Sequence, residues 1–249
     1  MLYREFARCY VKGPWTYYSR DMVEKLPAVL ECFGHEPRAI LDIACGEGTF
    51  AVAVASSGRY VVGLDSSPQM LEYARERAAA HDSRVDFVLG DMRHIPFRDG
   101  FDLVTCWFDS LNYLLNLADL ERTFVSVSQC LTTGGLFVFD MNTIYGLQVG
   151  WMQQPFYVQA DDDEMFEVGF PTYDPRTRAA TLEIRGFVKN SEGNWVRVSE
   201  HHEERGYTLK AIRACLRKAG LTELASWGSL EDMNKVTRAS QRVWFVARK

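Results

Sequence analysis

The sequence LDIACGEGTF at residues 41–50 joins a short apolar run to a helical pattern through two glycines. The run Ala39–Ala44 predicts a β-strand, and Gly48–Ser57 predicts the helix that follows it. Glycines at such a turn let the backbone approach a ligand closely, because no side chain blocks the way. The first turn of the helix also presents amide N–H groups that have no intrahelical partner. The stretch therefore predicts a ligand-binding turn at the start of an α/β domain.

Short apolar runs and helical patterns continue to alternate after this turn. Strands are predicted at residues 60–64, 85–89, 101–107, 136–140, 221–227 and 242–247, and helices at 67–80, 117–131 and 208–219. Gly134-Gly135 is expected to end the helical stretch that begins at Leu117. The strands are continuous apolar runs, which are typical of a parallel sheet covered by helices on both faces. With right-handed crossovers, these elements predict a doubly wound, mostly parallel sheet of seven strands.

The pattern changes between residues 143 and 204. Segments 180–189 and 195–199 alternate apolar and polar residues, and turn signals stand at 173–175 and 191–194. This arrangement predicts a small antiparallel β insertion. We therefore expect one α/β domain made of residues 1–142 and 205–249, with residues 143–204 forming an inserted lid over the site. The aromatic residues of the insertion favour an apolar wall and a small organic ligand.

Composition limits the classes of protein to which the chain can belong. The 249 residues carry a formal net charge of −5, and no contiguous basic stripe is present, so nucleic acid is not an expected partner. No apolar run reaches the roughly 18 residues that a membrane span needs, and charges occur too early at the N-terminus for a signal peptide. We expect a cytoplasmic monomer or homodimer without a membrane partner.

A metal site is not expected either. The six cysteines contain no Cys-x-x-Cys pair, and we interpret them as reduced core residues. The acidic segment at residues 161–164 is interpreted as a solvated loop. If residues 201–205 are extended, the adjacent His201 and His202 point to opposite faces and do not share a ligand.

Three aspartates near the ends of predicted strands suit a nucleoside ligand. Asp65 lies 19 positions after Gly46, where its carboxylate can accept two hydrogen bonds from a ribose diol; capping of the next helix is the alternative. Asp42, four positions before Gly46, repels a pyrophosphate and attracts a cationic ligand such as S-adenosylmethionine. Asp91 can accept the exocyclic amine of an adenine, with Met92 against the ring. The glycine pattern and Asp65 alone also fit a dinucleotide-binding enzyme.

Taken in order, Asp42–Phe50, Asp65 and Gly90-Asp91-Met92 resemble the nucleotide-binding motifs of class I S-adenosylmethionine-dependent methyltransferases. The two closing strands match the final hairpin of that family, and the similarity extends along nearly the whole chain. It is greatest to a small-molecule branch with a β insertion after strand five. This branch includes uncharacterised bacterial enzymes with a Leu-Asp-x-Ala-Cys-Gly motif and N-methyltransferases of deoxyamino sugars.

The resemblance implies a Rossmann-like fold, S-adenosylmethionine as the cofactor and S-adenosylhomocysteine as its product. The two glycines of the turn would line the methionine moiety, Asp65 would hold the ribose, and Met70, Asp91 and Met92 would contact the adenine. The full set of implied cofactor contacts is Tyr10, Tyr18, Asp42, Ala44, Gly46, Gly48, Asp65, Ser66, Met70, Asp91, Met92 and Phe108.

Candidate catalytic residues follow the fourth strand and the insertion. Because ligands bind beyond the carboxyl ends of parallel strands, residues 107–114 should face the transferred methyl group, and we select Asn112 and Tyr113 as substrate-facing. Core packing is the alternative for their apolar neighbours, and the amino-sugar enzymes carry a His about where Tyr113 stands. The Asn/Asp-Pro-Pro-Tyr/Phe motif of nucleic-acid and glutamine methylating members is absent. His202 is a candidate general base, with a structural Glu–Arg network as the alternative.

We therefore expect methyl transfer from S-adenosylmethionine to an N or O nucleophile of a small-molecule acceptor by direct in-line displacement. Two alternatives stay open at this point. A nicotinamide-dependent oxidoreductase would share the glycine turn and Asp65, but Asp42 and the closing hairpin argue against it. A catalytically silent scaffold would bind S-adenosylmethionine and transfer nothing.

Overall fold

The computed structural model describes residue 3 and residues 5–56 and 58–249. Its strands are β1 (Ala39–Ile43), β2 (Tyr60–Asp65), β3 (Val85–Leu89), β4 (Phe101–Cys106), β5 (Leu131–Asn142), β6 (Tyr157–Asp161), β7 (Met165–Asp174), β8 (Ala179–Lys189), β9 (Trp195–Arg205), β10 (Thr222–Trp227) and β11 (Arg242–Arg248). Its α-helices are α1 (Ala7–Lys12), α2 (Tyr17–Glu31), α3 (Thr49–Ala55), α4 (Pro68–Ala80), α5 (Leu117–Cys130) and α6 (Leu209–Lys218).

Seven strands form the main sheet in the order β10-β11-β5-β4-β1-β2-β3. Strands β1 to β5 pair in parallel, whereas β11 runs antiparallel to both β5 and β10. The predicted doubly wound, mostly parallel sheet and its closing hairpin are therefore confirmed. The chain order reverses between β1 and its neighbour β4, so a crevice opens there at the carboxyl ends of the strands.

One predicted helix end was wrong, and another lies outside the described residues. Gly134-Gly135 does not end the helix, because α5 stops at Cys130 and β5 begins at the next residue. Gly134 has a φ of +84°, and its N–H donates to the carbonyl of Lys249 at 3.0 Å. The glycine therefore lies in the first part of β5, bonded to the residue that follows β11. Helix α3 ends at Ala55, and its predicted last residue, Ser57, is outside the described residues.

A second sheet has the order β6-β7-β8-β9 and is antiparallel throughout. Strands β8 and β9 match the two alternating segments of the predicted insertion, although β9 continues to Arg205. Strands β6 and β7 were not predicted. Their exposure does not alternate cleanly, and a register shift between Val158 and Ala160 interrupts the β6–β7 ladder.

Apolar clusters hold the layers together. One face of the main sheet packs Phe137 and Phe139 against α5 and α6, and the other packs Ile40 and Val61 against α2 and α3. A third cluster joins the N-terminal helix, Met70 of α4 and the inner face of the second sheet, where Met165, Ile184, Val188 and Val198 are buried. This third cluster places the second sheet and the N-terminal segment over the crevice of the main sheet.

No helix in the described ranges has the length and apolarity needed to cross a membrane. Within those same ranges, no group of three or more His, Cys, Asp or Glu residues is arranged to hold a metal ion. The acidic segment 161–164 is exposed.

Candidate active site

The glycine turn after β1 is held by the carboxylate that ends β2. Gly46 has a φ of +56°, and its N–H donates to Asp65 Oδ2 at 2.8 Å. The other oxygen of Asp65 accepts the N–H of Ser67 at 2.8 Å, so one side chain fixes two adjoining turns. A Cβ placed on Gly46 would lie 3.7 Å from Met70 Cε, toward the open side of the turn. The absence of a side chain thus leaves the backbone accessible to a ligand.

Gly48 has a different structural role. Its φ is +80°, and an added Cβ would come within 3.0 Å of Ala74 Cβ and of the ring of Phe87. Gly48 therefore permits the close packing of α3 against α4 and β3.

A cavity of about 120 Å³, here called the turn cavity, lies at the carboxyl ends of β1, β2 and β4. Residues that the sequence assigned to the cofactor and that line this cavity are Tyr10, Asp42, Ala44, Gly46, Asp65, Ser66, Met70, Met92 and Phe108. The structure therefore brings together most of the predicted set, although these positions are spread over about a hundred residues of sequence.

The other predicted cofactor contacts, Tyr18, Gly48 and Asp91, do not line the turn cavity. Tyr18 stacks on Phe108 with ring centroids 4.8 Å apart, and its hydroxyl accepts Trp244 Nε1–H at 3.1 Å. Asp91 caps the short turn after β3 and binds the guanidinium of Arg93, which lowers the pKa of Asp91. Tyr18 and Gly48 thus support the lining residues, and Asp91 is engaged by an arginine.

Two buried carboxyl groups, those of Asp42 and Asp65, line the turn cavity. Asp42 is 2% exposed and accepts the hydroxyl of Thr105 at 2.7 Å. Burial raises the pKa of Asp42 to about 8, with the nearby charges of Asp65 and Glu47 acting in the same direction. Burial also raises the pKa of Asp65, opposed by the N–H groups that it accepts. Such a site favours a ligand that carries positive charge and hydroxyl donors.

This donor set fits S-adenosylmethionine. A glycine backbone without side-chain obstruction suits the amino-acid moiety, and Asp65 faces the cavity where a ribose diol can donate to it. Asp42 holds a proton at neutral pH, and a bound cationic centre would lower its pKa and ionise it, so that its charge compensates that of the ligand. A pyrophosphate would face the same two carboxylates unfavourably.

A larger cavity of about 350 Å³, here called the inter-sheet cavity, lies between the main sheet, the N-terminal segment and the inner face of the second sheet. Its aromatic lining consists of Tyr3, Phe6, Tyr10, Trp15, Tyr17, Phe108, Tyr113, Trp151 and Tyr157. Its charged or titratable lining consists of Asp109, His202, Glu204 and Arg242, besides the tyrosines. The two cavities share Tyr3, Tyr10, Phe108 and Tyr113, and so adjoin at these four rings.

Three carboxylates surround one guanidinium at the wall of the inter-sheet cavity. Arg242 contacts Asp140 and lies 3.0 Å from Asp109. Asn142 bridges the third carboxylate into the group, because its Nδ2 donates to Asp109 at 2.7 Å and to Glu204 at 2.9 Å. Burial raises the pKa of Glu204 well above its usual range, and the charge of Asp109 raises it further. The group thus contains three carboxyl groups and a single guanidinium.

The backbone beside this group is strained. Phe108 and Asp109 have φ values of +54° and +52°, in the left-handed region that residues with a Cβ seldom adopt. Asp140 accepts both of their N–H groups, at 2.7 and 3.0 Å, and thereby holds the loop. Strain of this kind, maintained by a buried carboxylate, is typical of functional loops.

Two of the three candidate catalytic residues, Tyr113 and His202, line a cavity. Tyr113 lines both cavities, and its hydroxyl lies 2.9 Å from His202 Nδ1. His202 and Glu204 point inward from β9, as the extended reading of residues 201–205 predicted, and His201 is exposed. Burial lowers the pKa of His202 to about 4, so the ring is neutral at physiological pH.

Asn112 does not face either cavity, which corrects its selection as a substrate-facing residue. It is fully buried, its Nδ2 donates to the carbonyls of Asn142 and Arg205 at 3.0 and 2.9 Å, and its Oδ1 accepts the N–H of Asn142. These bonds use its polar atoms to join the loop after β4 to β5 and β9.

Sequence reasoning missed Tyr3, Asp109, Asp140, Glu204 and Arg242. Asp109 follows β4 and Asp140 lies near the carboxyl end of β5, so the carboxyl-end rule was a usable signal for both. Arg242 gave no such signal, because it begins an antiparallel strand whose register sets it opposite Asn142.

Comparisons with known proteins agree with this geometry. A family described as "Methyltransferase domain" matches residues 40–135. A protein of Geobacillus sp. (strain WCH70) described as a methyltransferase is 30% identical over the whole length of both chains. The crystal structure of an S-adenosylmethionine-dependent methyltransferase from Clostridium acetobutylicum superposes with a TM-score of 0.85 at 25% identity, covering 100% of this chain and 99% of that one.

A third relative matches only in part. The dTDP-3-amino-3,6-dideoxy-alpha-D-glucopyranose N,N-dimethyltransferase of Streptomyces fradiae is 34% identical over 110 residues, which are 43% of this chain and 41% of that protein.

The chain belongs to the methyltransferase family. It is an S-adenosylmethionine-dependent methyltransferase of the Rossmann-like type, and S-adenosylmethionine is its cofactor. The oxidoreductase and the silent scaffold, which the sequence left open, are not supported.

Proposed function

We propose that the protein methylates a nitrogen or oxygen nucleophile of a small molecule held in the inter-sheet cavity, by direct in-line displacement. The observation that carries this proposal is the adjoining of the two cavities at Tyr3, Tyr10, Phe108 and Tyr113. Bound S-adenosylmethionine supplies a methyl group on a sulfonium centre, which is reactive without a covalent enzyme intermediate. The protein's contribution is then to align the acceptor with that methyl group and to exclude water.

In this proposal the turn cavity binds the cofactor. Ala44 and Gly46 contact its amino-acid part, Asp65 and Ser66 its ribose, and Met70 and Met92 its adenine. Asp42 compensates positive charge, and Tyr10 and Phe108 separate the cofactor from the acceptor. Gly48 and Tyr18 act by packing, and Asp91 contributes to the adenine side only if it exchanges its bond with Arg93.

Charge in the inter-sheet cavity favours nitrogen over oxygen. Asp109 and Asp140 pair with Arg242, and Asn142 links Glu204 to this group, so acidic groups outnumber the one guanidinium and favour binding of a protonated amine. The surrounding aromatic faces attract cations as well. The Streptomyces fradiae relative, whose name describes N,N-dimethylation of an amino sugar, is consistent with an amine acceptor.

Residues 143–204 act as a lid in this proposal. The second sheet contributes Leu182, Ile184 and His202 to the cavity, and the preceding segment contributes Trp151. A volume of about 350 Å³ with a mostly aromatic wall suits a small organic molecule and is too small for a macromolecular substrate.

The test compares small amines with alcohols of the same carbon skeleton. Formation of S-adenosylhomocysteine and of the methylated product is measured for each pair, and amines should react at least about tenfold faster, a difference of about 1.4 kcal/mol. Asp109→Asn should reduce this preference, whereas Asp99→Asn, which changes an exposed aspartate away from the cavities, should not. Equal rates for matched amines and alcohols would exclude nitrogen selectivity, and no product with any acceptor would exclude the proposed function.

A further inference from the structure

A chain of hydrogen-bonding groups begins where the two cavities meet. The hydroxyls of Tyr3 and Tyr113 lie 3.3 Å apart, and both tyrosines line both cavities. The hydroxyl of Tyr113 is in turn 2.9 Å from His202 Nδ1. Three side chains from the N-terminal segment, the loop after β4 and the inner face of β9 thus connect the place of reaction to a buried imidazole.

The far side of the imidazole faces a carboxylate. His202 Nε2 is buried and has no hydrogen-bond partner within the described part of the chain, and Glu200 Oε1 lies 3.8 Å away from it. When Nδ1 accepts the Tyr113 proton, Nε2 must carry the proton of a neutral ring, and this proton lies near the Glu200 carboxylate without a hydrogen bond to it. This is the arrangement in which a base is oriented by a third group.

Glu200 also fixes the first member of the chain. Its Oε1 accepts the backbone N–H of Tyr3, and its Oε2 accepts the backbone N–H of Phe6 at 3.2 Å. On the opposite side, the carbonyl of Tyr3 accepts the hydroxyl of Ser67, the residue that caps α4. One carboxylate therefore sets both the position of the Tyr3 ring and the field at His202.

We propose that Tyr3, Tyr113 and His202 form a proton relay for the acceptor, and that Glu200 is the residue that positions it. This inference rests on the proposed function. An acceptor that binds as an ammonium first gives a proton to the relay, which frees the nitrogen lone pair. That lone pair then forms the bond to the methyl carbon as the carbon–sulfur bond breaks, and the electron pair of the broken bond leaves on sulfur. The acceptor's proton passes to the Tyr3 oxygen, the Tyr3 proton to the Tyr113 oxygen, and the Tyr113 proton to His202 Nδ1. The resulting imidazolium releases its proton to water after the product leaves.

The charges around His202 suit a transient acceptor of this kind. Burial keeps the ring neutral by lowering its pKa to about 4, and His201 on the same strand acts in the same direction. Asp109, from the loop after β4, opposes this shift, and Glu200 adds a negative charge beside Nε2. Burial raises the pKa of both Tyr3 and Tyr113, so the two phenols pass protons without ionising at rest. The ring is thus ready to accept a proton and does not retain it.

The first test does not depend on turnover. Nuclear magnetic resonance of protein with ¹⁵N-labelled histidine should show a neutral His202 with the proton on Nε2 at neutral pH. Glu200→Gln should lower the pKa of His202 further, because the adjacent negative charge is lost. Glu203→Gln, which changes the residue after His202 on β9, should leave the pKa of His202 unchanged. A charged ring, or a proton on Nδ1 in the wild-type protein, would overturn the relay.

The second test measures methyl transfer to whichever amine or alcohol of the matched panel reacts. Tyr3→Phe and Tyr113→Phe, which keep the rings, should lower kcat by about 10²- to 10³-fold and remove the solvent isotope effect on kcat, with S-adenosylhomocysteine affinity unchanged. Tyr73→Phe, on α4 outside both cavities, is the matched control. A Tyr3→Phe enzyme with wild-type kcat and pH profile would overturn the relay, whereas inactivity of the wild-type enzyme with every acceptor would count against the proposed function alone.

Discussion

Asp42 is an acid buried inside the main sheet, and its protonation links the site to the stability of the fold. In the unfolded chain it ionises near its ordinary pKa of about 4. In the folded protein burial raises that pKa to about 8. Between about pH 4 and about pH 8 the unfolded state therefore releases a proton that the folded state keeps, and the folded state loses relative stability as the pH rises.

Asp42→Asn should accordingly stabilise the protein, by an amount that grows from about pH 5 to about pH 8. Asparagine cannot ionise, and its carbonyl oxygen can still accept the hydroxyl of Thr105. Urea unfolding of the variant and the wild-type protein at the two pH values measures the difference. A gain that is the same at both values would show that Asp42 is already ionised in the folded protein.

Asp65 supports the turn cavity through two hydrogen bonds, and the same carboxylate lines the cavity that we propose binds the cofactor. Asp65→Ala should weaken S-adenosylhomocysteine binding by about 10- to 100-fold, the cost of losing hydrogen bonds to a charged group. Calorimetric titration measures this, with Asp86→Ala on the exposed face of β3 as the control. Equal affinities of the two variants would show that Asp65 only holds the two adjoining turns.

At the scale of residues, the sequence predicts which residues line the turn cavity when they lie at the ends of strands. Asp65 ends a strand, and Gly46 and Met92 each follow one closely, so position along the chain is enough to place them at one cavity. Glu204 and Arg242 meet Asp109 only because β9 and β11 come from distant parts of the sequence. Their side chains gave no local signal, since a charged residue at a strand end is ordinarily solvated.

At the scale of elements, the beginning of α4 connects the turn cavity to the N-terminal segment. Ser67 caps the helix by accepting the N–H of Met70 at 3.2 Å, and its hydroxyl donates to the carbonyl of Tyr3. Thr208 caps α6 in the same way, through Ala211, with no such second contact among the bonds of the described residues.

Ser67→Ala and Thr208→Ala should each lower the free energy of unfolding by about 1 kcal/mol, the usual value of a helix cap. Only Ser67→Ala should also weaken S-adenosylhomocysteine binding, because it frees Tyr3 from the edge of the turn cavity. Urea unfolding and calorimetric titration of both variants separate the two effects. If both variants bind S-adenosylhomocysteine like the wild-type protein, the contact between α4 and Tyr3 does not contribute to the site.

The strands that sequence predicted and those that it missed differ in their surroundings. Strands β1, β2 and β4 are buried on both faces, and a continuous apolar run identifies such a strand directly. Strand β7 instead carries Gly169 and Pro171 and mixes buried and exposed positions, because it covers a cavity on one face. A strand of this kind is defined by its partners in the sheet more than by its own pattern.

At the scale of the whole molecule, the site exists because two sheets meet. The main sheet contributes the glycine turn and its carboxylates, whereas the second sheet contributes His202 and Glu204. The buried cluster of Phe6, Tyr10, Met70 and Ile184 joins the two sheets and the N-terminal segment. The sequence predicted an insertion over the site, but the packing of that insertion depends on contacts between residues more than a hundred positions apart, which no local pattern encodes.

The most direct test of the central claim is a crystal structure of the protein with S-adenosylhomocysteine. The account predicts that the ribose hydroxyls donate to Asp65 and that the sulfur faces the rings of Tyr3 and Tyr113, at the boundary with the inter-sheet cavity. A sulfur atom that faces away from that cavity, or a nucleoside bound away from Asp65, would contradict the assignment of the two cavities to cofactor and acceptor.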